Sequence, residues 1–183
     1  MSDKKNSKFL SYILRHCPES IGLSLNTEGW ANIEELIALS NKHGILITKN
    51  LIEKIVESSD KKRFLISNDN LYIKAFQGHT NKKVNIIYSL TYPPKVLYHG
   101  TAERFMDSIL SSGLIPKERH HVHLTEDPDL AIENGKRYGK PILLTICARE
   151  MQKDGYNFYL SENAVWLTDE VPSKYIIKKI KFN

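Results

Sequence analysis

Apolar residues three and four apart set out the first half of the chain. Phe9, Leu10, Ile13 and Leu14 predict a helix over 7–16 that Ser7 can cap. Pro18 ends it, because the residue before a proline resists the α region. Asn32 opens a second helix, with Glu35 at the spacing of a capping box, Ile33, Leu36 and Ile37 on the apolar face and Gly44 as the stop. Thr48 caps a third helix over 49–58 that turns Leu51, Ile52, Ile55 and Val56 inward. Two short apolar runs, 64–66 and 71–73, then flank Asn68-Asp69-Asn70 and read as a hairpin.

The second half has another rhythm. A strand over 96–98 leads into a His99-Gly100-Thr101 turn and a helix over 102–111, with Thr101 as N-cap and Phe105, Met106, Ile109 and Leu110 facing in. A strand near 122–125, a helix over 129–138 opened by Asp127 or Pro128, and a strand over 142–148 follow. Short extended pieces at 157–160, 164–167 and 175–181 complete the chain. The polar stretch 80–94 closes on Tyr92-Pro93-Pro94 and marks a boundary. Three helices and a hairpin in the first half are the order of a winged helix, whose third helix or wing usually meets nucleic acid. The second half is an α/β region without a regular βαβ repeat, and no GxGxxG or GxxxxGK[ST] is present to cradle a phosphate.

Composition narrows the class only a little. With 41% hydrophobic and 26% charged residues the chain can form a core, and no apolar run reaches the ~18 residues that span a bilayer. The first residues are polar with no apolar region behind them, and Cys17 and Cys147 stand far apart, so a cytoplasmic, reduced protein without a membrane association is expected. The net charge of +5 is mild and spread: residues 1–80 carry 11 Lys/Arg against 9 Asp/Glu, and residues 81–183 carry 15 against 12. Charge alone permits a polyanionic partner and does not demand one.

Candidate chemistry gathers at a few places. Arg15 and His16 stand in the last turn of the first helix, where cations also favour the dipole without any ligand. Arg63, behind Lys61-Lys62, precedes the hairpin; a solvated basic cluster is the plain alternative. Arg119 lies in a loop beside His120-His121-Val122-His123. Guanidinium forks match phosphate oxygens, so three converging arginines would suit a phosphomonoester. His121 and His123, two apart on a strand, share a face and invite a metal reading, with Glu126 the only close carboxylate of suitable spacing and no cysteine nearby; lining a ligand pocket is favoured, and no metal is expected.

Motifs spread over nearly the whole chain resemble the NAD-dependent RNA (tRNA) 2′-phosphotransferases. They are Ser7-Lys8-Phe9-Leu10-Ser11, Leu14-Arg15-His16-Cys17-Pro18, Gly29-Trp30, Lys62-Arg63-Phe64 and Gln77-Gly78-His79 in the first half. In the second half they are Leu97-Tyr98-His99-Gly100-Thr101, Gly113-Leu114, Arg119 with His121-Val122-His123-Leu124, Asp154-Gly155 and Asn163-Ala164-Val165-Trp166-Leu167-Thr168. The resemblance implies an α+β chain: a winged-helix RNA-binding lobe at 1–80, a linker at 81–94 and an ADP-ribosyltransferase-like, NAD-binding lobe at 95–183. It places the essential tetrad on Arg15, His16, Arg63 and Arg119, and the NAD signature on His99, Gly100 and Thr101. Ser108, Ile109, Gly113, Leu114, His121 and His123 are the further positions expected near NAD. Lys74, Asn70, Thr80 and Tyr138 depart from the residues usual at their places.

The activity so implied uses NAD as co-substrate and an RNA bearing an internal 2′-phosphate, tRNA-like in kind, on a monomeric enzyme. The 2′-phosphate attacks the anomeric carbon of the nicotinamide ribose; the ribose 2″-hydroxyl then attacks phosphorus, leaving RNA with a 2′-hydroxyl and ADP-ribose 1″,2″-cyclic phosphate. Two other functions fit the same residues: an ADP-ribosyltransferase that stops after the first step on a terminal phosphate or other acceptor, and a non-enzymatic RNA-binding winged helix.

Overall fold

The computed structural model describes residues 3–58 and 62–181. The chain divides into two compact units, 1–87 and 88–183, each with its own hydrophobic core. Among the described residues it is a mixed α and β protein of six α-helices and three small sheets. Lys61, part of the expected basic cluster, lies outside the described residues.

In the first unit α1 spans Asp3–Arg15 and so begins four residues before the expected cap. Lys4 and Lys5 are good helix formers with no breaker ahead of them, which leaves Ser7 inside the helix. Leu10, Ile13 and Leu14 are wholly buried. At the other end Cys17 takes φ −142°, outside the α region, as Pro18 requires, and a 3-10 turn follows over Pro18–Ile21.

A two-residue strand, β1 (Ala31–Asn32), precedes α2 (Ile33–Lys42), and Asn32 accepts a hydrogen bond from the Glu35 amide at 3.0 Å. The helix stops at Gly44, φ +76°, where Ile45 N–H bonds Ser40 O and Gly44 N–H bonds Asn41 O, the pair that defines a Schellman cap. In α3 (Lys49–Glu57) the Thr48 hydroxyl accepts from the Leu51 amide at 3.3 Å, and Ile52 and Ile55 are buried.

The hairpin is β2 (Phe64–Ile66) and β3 (Tyr72–Ala75), in antiparallel register with Phe64 opposite Ala75. Its turn is held by Asp69, which accepts from the Leu71 amide at 3.0 Å, and by Asn70 at φ +57°, a conformation asparagine tolerates. The unexpected β1 pairs with β3, Ala31 opposite Ile73, so the hairpin is part of a three-stranded sheet, with β3 against α1 and β2 against α3.

In the second unit Ser89–Leu90, within the expected linker, forms β4. The larger departure concerns His99-Gly100-Thr101. These residues are not a turn but the middle of strand β5 (Leu97–Ala102), and Thr101, expected as an N-cap, is a buried strand residue. The partner is β7 (Pro141–Ile146), whose six residues pair in unbroken register from Leu97–Ile146 to Ala102–Pro141. That ladder carries the strand through the glycine. The expected helix over 102–111 becomes a 3-10 turn, Glu103–Phe105, and α4 (Met106–Ser112), with no side-chain cap.

Next come β6 (Val122–Leu124) and α5 (Pro128–Lys136), which Asp127 caps by accepting from the amides of Asp129 and Leu130. A helix absent from the sequence reading, α6 (Ala148–Lys153), follows β7 directly. Then β8 (Tyr159–Leu160), β9 (Trp166–Thr168), a 3-10 turn over Ser173–Tyr175 and β10 (Ile176–Lys181) complete two sheets, ordered β10-β7-β5 and β4-β8-β9-β6. Leu97, Leu144, Ile146, Met151, Phe158 and Trp166 fill the core of this unit.

Gly100 is explained by this packing. A Cβ there would fall 1.6 Å from Ala131 O on α5, while one at Gly135 would fall 2.5 Å from Thr101 O. Two glycines facing one another let the helix lie almost on the strand backbone.

Candidate active site

In the first unit the end of α1, the start of β2 and the segment after β3 meet. Arg15 Nη2 donates to Arg63 O at 3.5 Å, and the Phe76 amide donates to the same oxygen at 3.1 Å. The Thr80 amide donates to Arg15 O at 2.9 Å, and Thr80 Oγ1 lies 3.2 Å from His16 Nδ1. Arg15, His16 and Arg63 are therefore drawn together although 48 residues separate the two arginines, and all three are half-buried. The Arg15 guanidinium thus lies on the Arg63 backbone with His16 next to it in the chain, and guanidinium and imidazole are the side-chain types that bind anions and move protons.

In the second unit the chemistry collects around β5 and β6. His99 Nδ1 lies 3.0 Å from His123 O. A carbonyl only accepts, so Nδ1 carries the proton and Nε2 keeps its lone pair while the ring is neutral. Desolvation holds the imidazole below its ordinary value; the bond to His123 O works against this, and the positive charge of Arg119 adds to it. His99 and Arg119 are thus electrostatic neighbours. Arg119 itself is exposed, in a turn closed by its amide on Pro116 O at 3.1 Å.

His121 sits between two aromatic rings, Tyr88 at 5.8 Å and Tyr159 at 5.6 Å between centroids, both edge-on. Its Nε2 is 3.8 Å from Asp169. Desolvation lowers its pKa, Asp169 opposes the shift and His120 reinforces it. The strand register accounts for the grouping, since His123 pairs with Leu167, which pairs with Tyr159, and His121 stands next along the same face.

The remaining expected positions lie on α4 or directly after it. Ile109 and Leu114 are buried in the core, and Leu114 exchanges two backbone bonds with Val171 at 2.8 and 2.9 Å. At Gly113, φ +75°, a Cβ would fall 2.2 Å from Val171 O. Ser108 is exposed on α4. Among the described residues no group of three or more His, Cys, Asp or Glu is placed to hold a metal ion, and no helix is long and apolar enough to cross a membrane.

Sequence reasoning gave no role to Thr80, noting it only as a departure, and missed Tyr88, Tyr159 and Asp169 altogether. The alternation His121-Val122-His123 was the one available signal; the tyrosines and the aspartate join it only through tertiary packing.

The family model described as "RNA 2'-phosphotransferase, Tpt1 / KptA family" matches residues 1–170. A probable RNA 2′-phosphotransferase of Pseudomonas fluorescens is 54% identical over 170 residues, covering 93% of each chain. Proteins of the same description from Acaryochloris marina and Pectobacterium carotovorum are 53% and 52% identical, each alignment covering 96% of both chains. The chain belongs to the RNA 2′-phosphotransferase family.

Proposed function

We propose that this protein removes an internal 2′-phosphate from RNA by transferring it to NAD, through an ADP-ribosylated RNA 2′-phosphate. The observation that carries the proposal is the Arg15, His16 and Arg63 constellation, matched in the second unit by Arg119 beside a neutral His99. The relatives' names supply the substrate class. In the same proposal the first unit, with its element order of three helices and a hairpin, is a winged helix, and the second is an ADP-ribosyltransferase-like lobe.

The residues present fit NAD. Neutral His99 offers Nε2 as an acceptor for a ribose hydroxyl, and Arg119, whose charge is felt at His99, offers a cation for a phosphate oxygen. NAD supplies an electrophilic anomeric carbon with nicotinamide as leaving group, and a 2″-hydroxyl.

The chain's own groups position and neutralise. Arg15 and Arg63 bind the RNA 2′-phosphate, Arg119 supplies a further cation for a phosphate oxygen, and positioning the attacking oxygen supplies much of a barrier. As the 2″-hydroxyl attacks phosphorus, charge builds on the phosphoryl oxygens, where preorganised guanidiniums act most strongly. His16 orients the phosphate or takes the 2″-hydroxyl proton. RNA with a free 2′-hydroxyl and ADP-ribose 1″,2″-cyclic phosphate are then released.

The test is to mix the protein with NAD and an RNA carrying one internal 2′-phosphate, following nicotinamide and the RNA products together. One nicotinamide per dephosphorylated RNA is expected. Nicotinamide release that ends at ADP-ribosylated RNA would favour a transferase without the second step, and no release at all would favour a binding protein.

A further inference from the structure

We propose that Thr80 is a positioning residue that fixes the His16 ring and the end of α1, an inference that rests on the activity proposed above. Arg15 is the last residue of α1, so its carbonyl is one of those a helix leaves without an internal partner. The Thr80 amide takes that carbonyl at 2.9 Å, and the side chain of the same residue reaches His16 Nδ1 at 3.2 Å. Four residues earlier on the same segment, the Phe76 amide takes Arg63 O, the oxygen that Arg15 Nη2 also contacts. Residues 76–80 therefore strap together the three functional residues of the first unit, and Thr80 is where the strap touches the proton-transfer group. Threonine is β-branched and stiff at χ1, so fixing its backbone largely fixes the direction of its hydroxyl.

The kind of partner is informative. His99 is held by a carbonyl, which selects one tautomer. His16 is held by a hydroxyl, which both donates and accepts and so can stay bonded to Nδ1 whether that nitrogen carries a proton or a lone pair. A hydroxyl partner therefore orients the ring without dictating which nitrogen carries the proton. The chemistry at His16 then falls to Nε2.

Thr80→Val keeps the shape and the amide bond to Arg15 O but removes the hydroxyl; Thr80→Ser keeps the hydroxyl. Thr80→Val should lower kcat for RNA dephosphorylation by about tenfold to a hundredfold, a fraction of what a general acid–base group is worth. Its KM for NAD and its melting temperature should stay at the parent values, and the limb of the pH–rate profile belonging to His16 should move. Thr80→Ser should restore kcat to within about threefold, since only the hydroxyl is asked to act. Parental kcat and pH profile in Thr80→Val, or equal impairment of the valine and serine variants, would overturn the inference. Nuclear magnetic resonance titration of the His16 ring gives a readout without turnover: its tautomer balance and midpoint should change in Thr80→Val. An unchanged ring would sink the inference even if the parent left the RNA untouched, whereas an inactive parent with a changed ring would refute only the proposed activity.

Discussion

Gly100→Ala isolates what the glycine of the His-Gly-Thr strand is for. The added carbon would lie 1.6 Å from Ala131 O and 2.4 Å from Ala131 C, with Gly135 N at 3.0 Å. An ordinary carbon–oxygen approach is about 3.3 Å, so α5 must move away from β5. The obstacle is backbone on both sides, and no side chain can swing aside. Overpacking of this kind costs about 3 kcal/mol, the upper end of its usual range. For a chain of this length that is a fall of roughly 6–12 °C in Tm. Gly155→Ala is the comparison: its φ of +93° is strained for alanine, but a Cβ there meets nothing within 4 Å. That strain costs about 1 kcal/mol, or roughly 2–4 °C. The assay is thermal unfolding followed by circular dichroism without NAD, so that loss of a ligand contact cannot contribute. A Gly100→Ala variant melting within about 2 °C of the parent, or above Gly155→Ala, would refute the packing account.

Three further outcomes are expected. Arg119→Ala should slow RNA dephosphorylation by about a hundredfold to a thousandfold, the cost of losing one charge-stabilising donor, and ADP-ribosylated RNA should build up on a gel; uniform slowing without that band would assign Arg119 to the first step instead. Burial holds the folded-state pKa values of His99 and His121 below the ordinary imidazole value of about 6.5, so the unfolded chain binds more protons just below that pH. Their contribution to stability is complete above about pH 6.5 and is lost as the pH falls toward the folded values; Tm should drop on acidification, less so in His99→Asn, and a rise in Tm would contradict the sign. In the proposed mechanism guanidiniums carry the cationic role that divalent ions fill elsewhere, so turnover should be the same in excess EDTA; loss of activity restored by one divalent ion would point to His121 and His123 as ligands.

The parts of the fold legible in the sequence were those whose signals are local. Asn32 with Glu35, Thr48, and Asp127 with Pro128 each mark a helix start through a side chain that bonds an amide two or three residues on. The hairpin around Asn68-Asp69-Asn70 is equally local. The strands near 122–125, 142–148 and 175–181 were also legible, but three features were misread or missed. His99-Gly100-Thr101 has the composition of a turn and became a strand because β7, more than forty residues later, pairs with all of it. Strand β1 exists only through β3, and α6 is a six-residue helix without a side-chain cap. At the candidate site, family motifs singled out Arg15, His16, Arg63 and Arg119. Their local spacing had an equally good reading as a helix-end pair and a solvated cluster. Only tertiary packing shows Arg15 on the Arg63 carbonyl and His16 on Thr80.

The central claim is that the ribose 2″-hydroxyl, not water, takes the phosphorus from the RNA. The most direct measurement uses NAD lacking only that hydroxyl, with 2′-phosphorylated RNA and a gel that resolves the 2′-phosphorylated, ADP-ribosylated and dephosphorylated forms. The anomeric carbon and the leaving group are intact, and removal of an electron-withdrawing neighbour eases departure of nicotinamide. The first step should therefore proceed and the second should find no nucleophile. ADP-ribosylated RNA should accumulate with no free 2′-hydroxyl; dephosphorylation at the rate seen with ordinary NAD would contradict the mechanism.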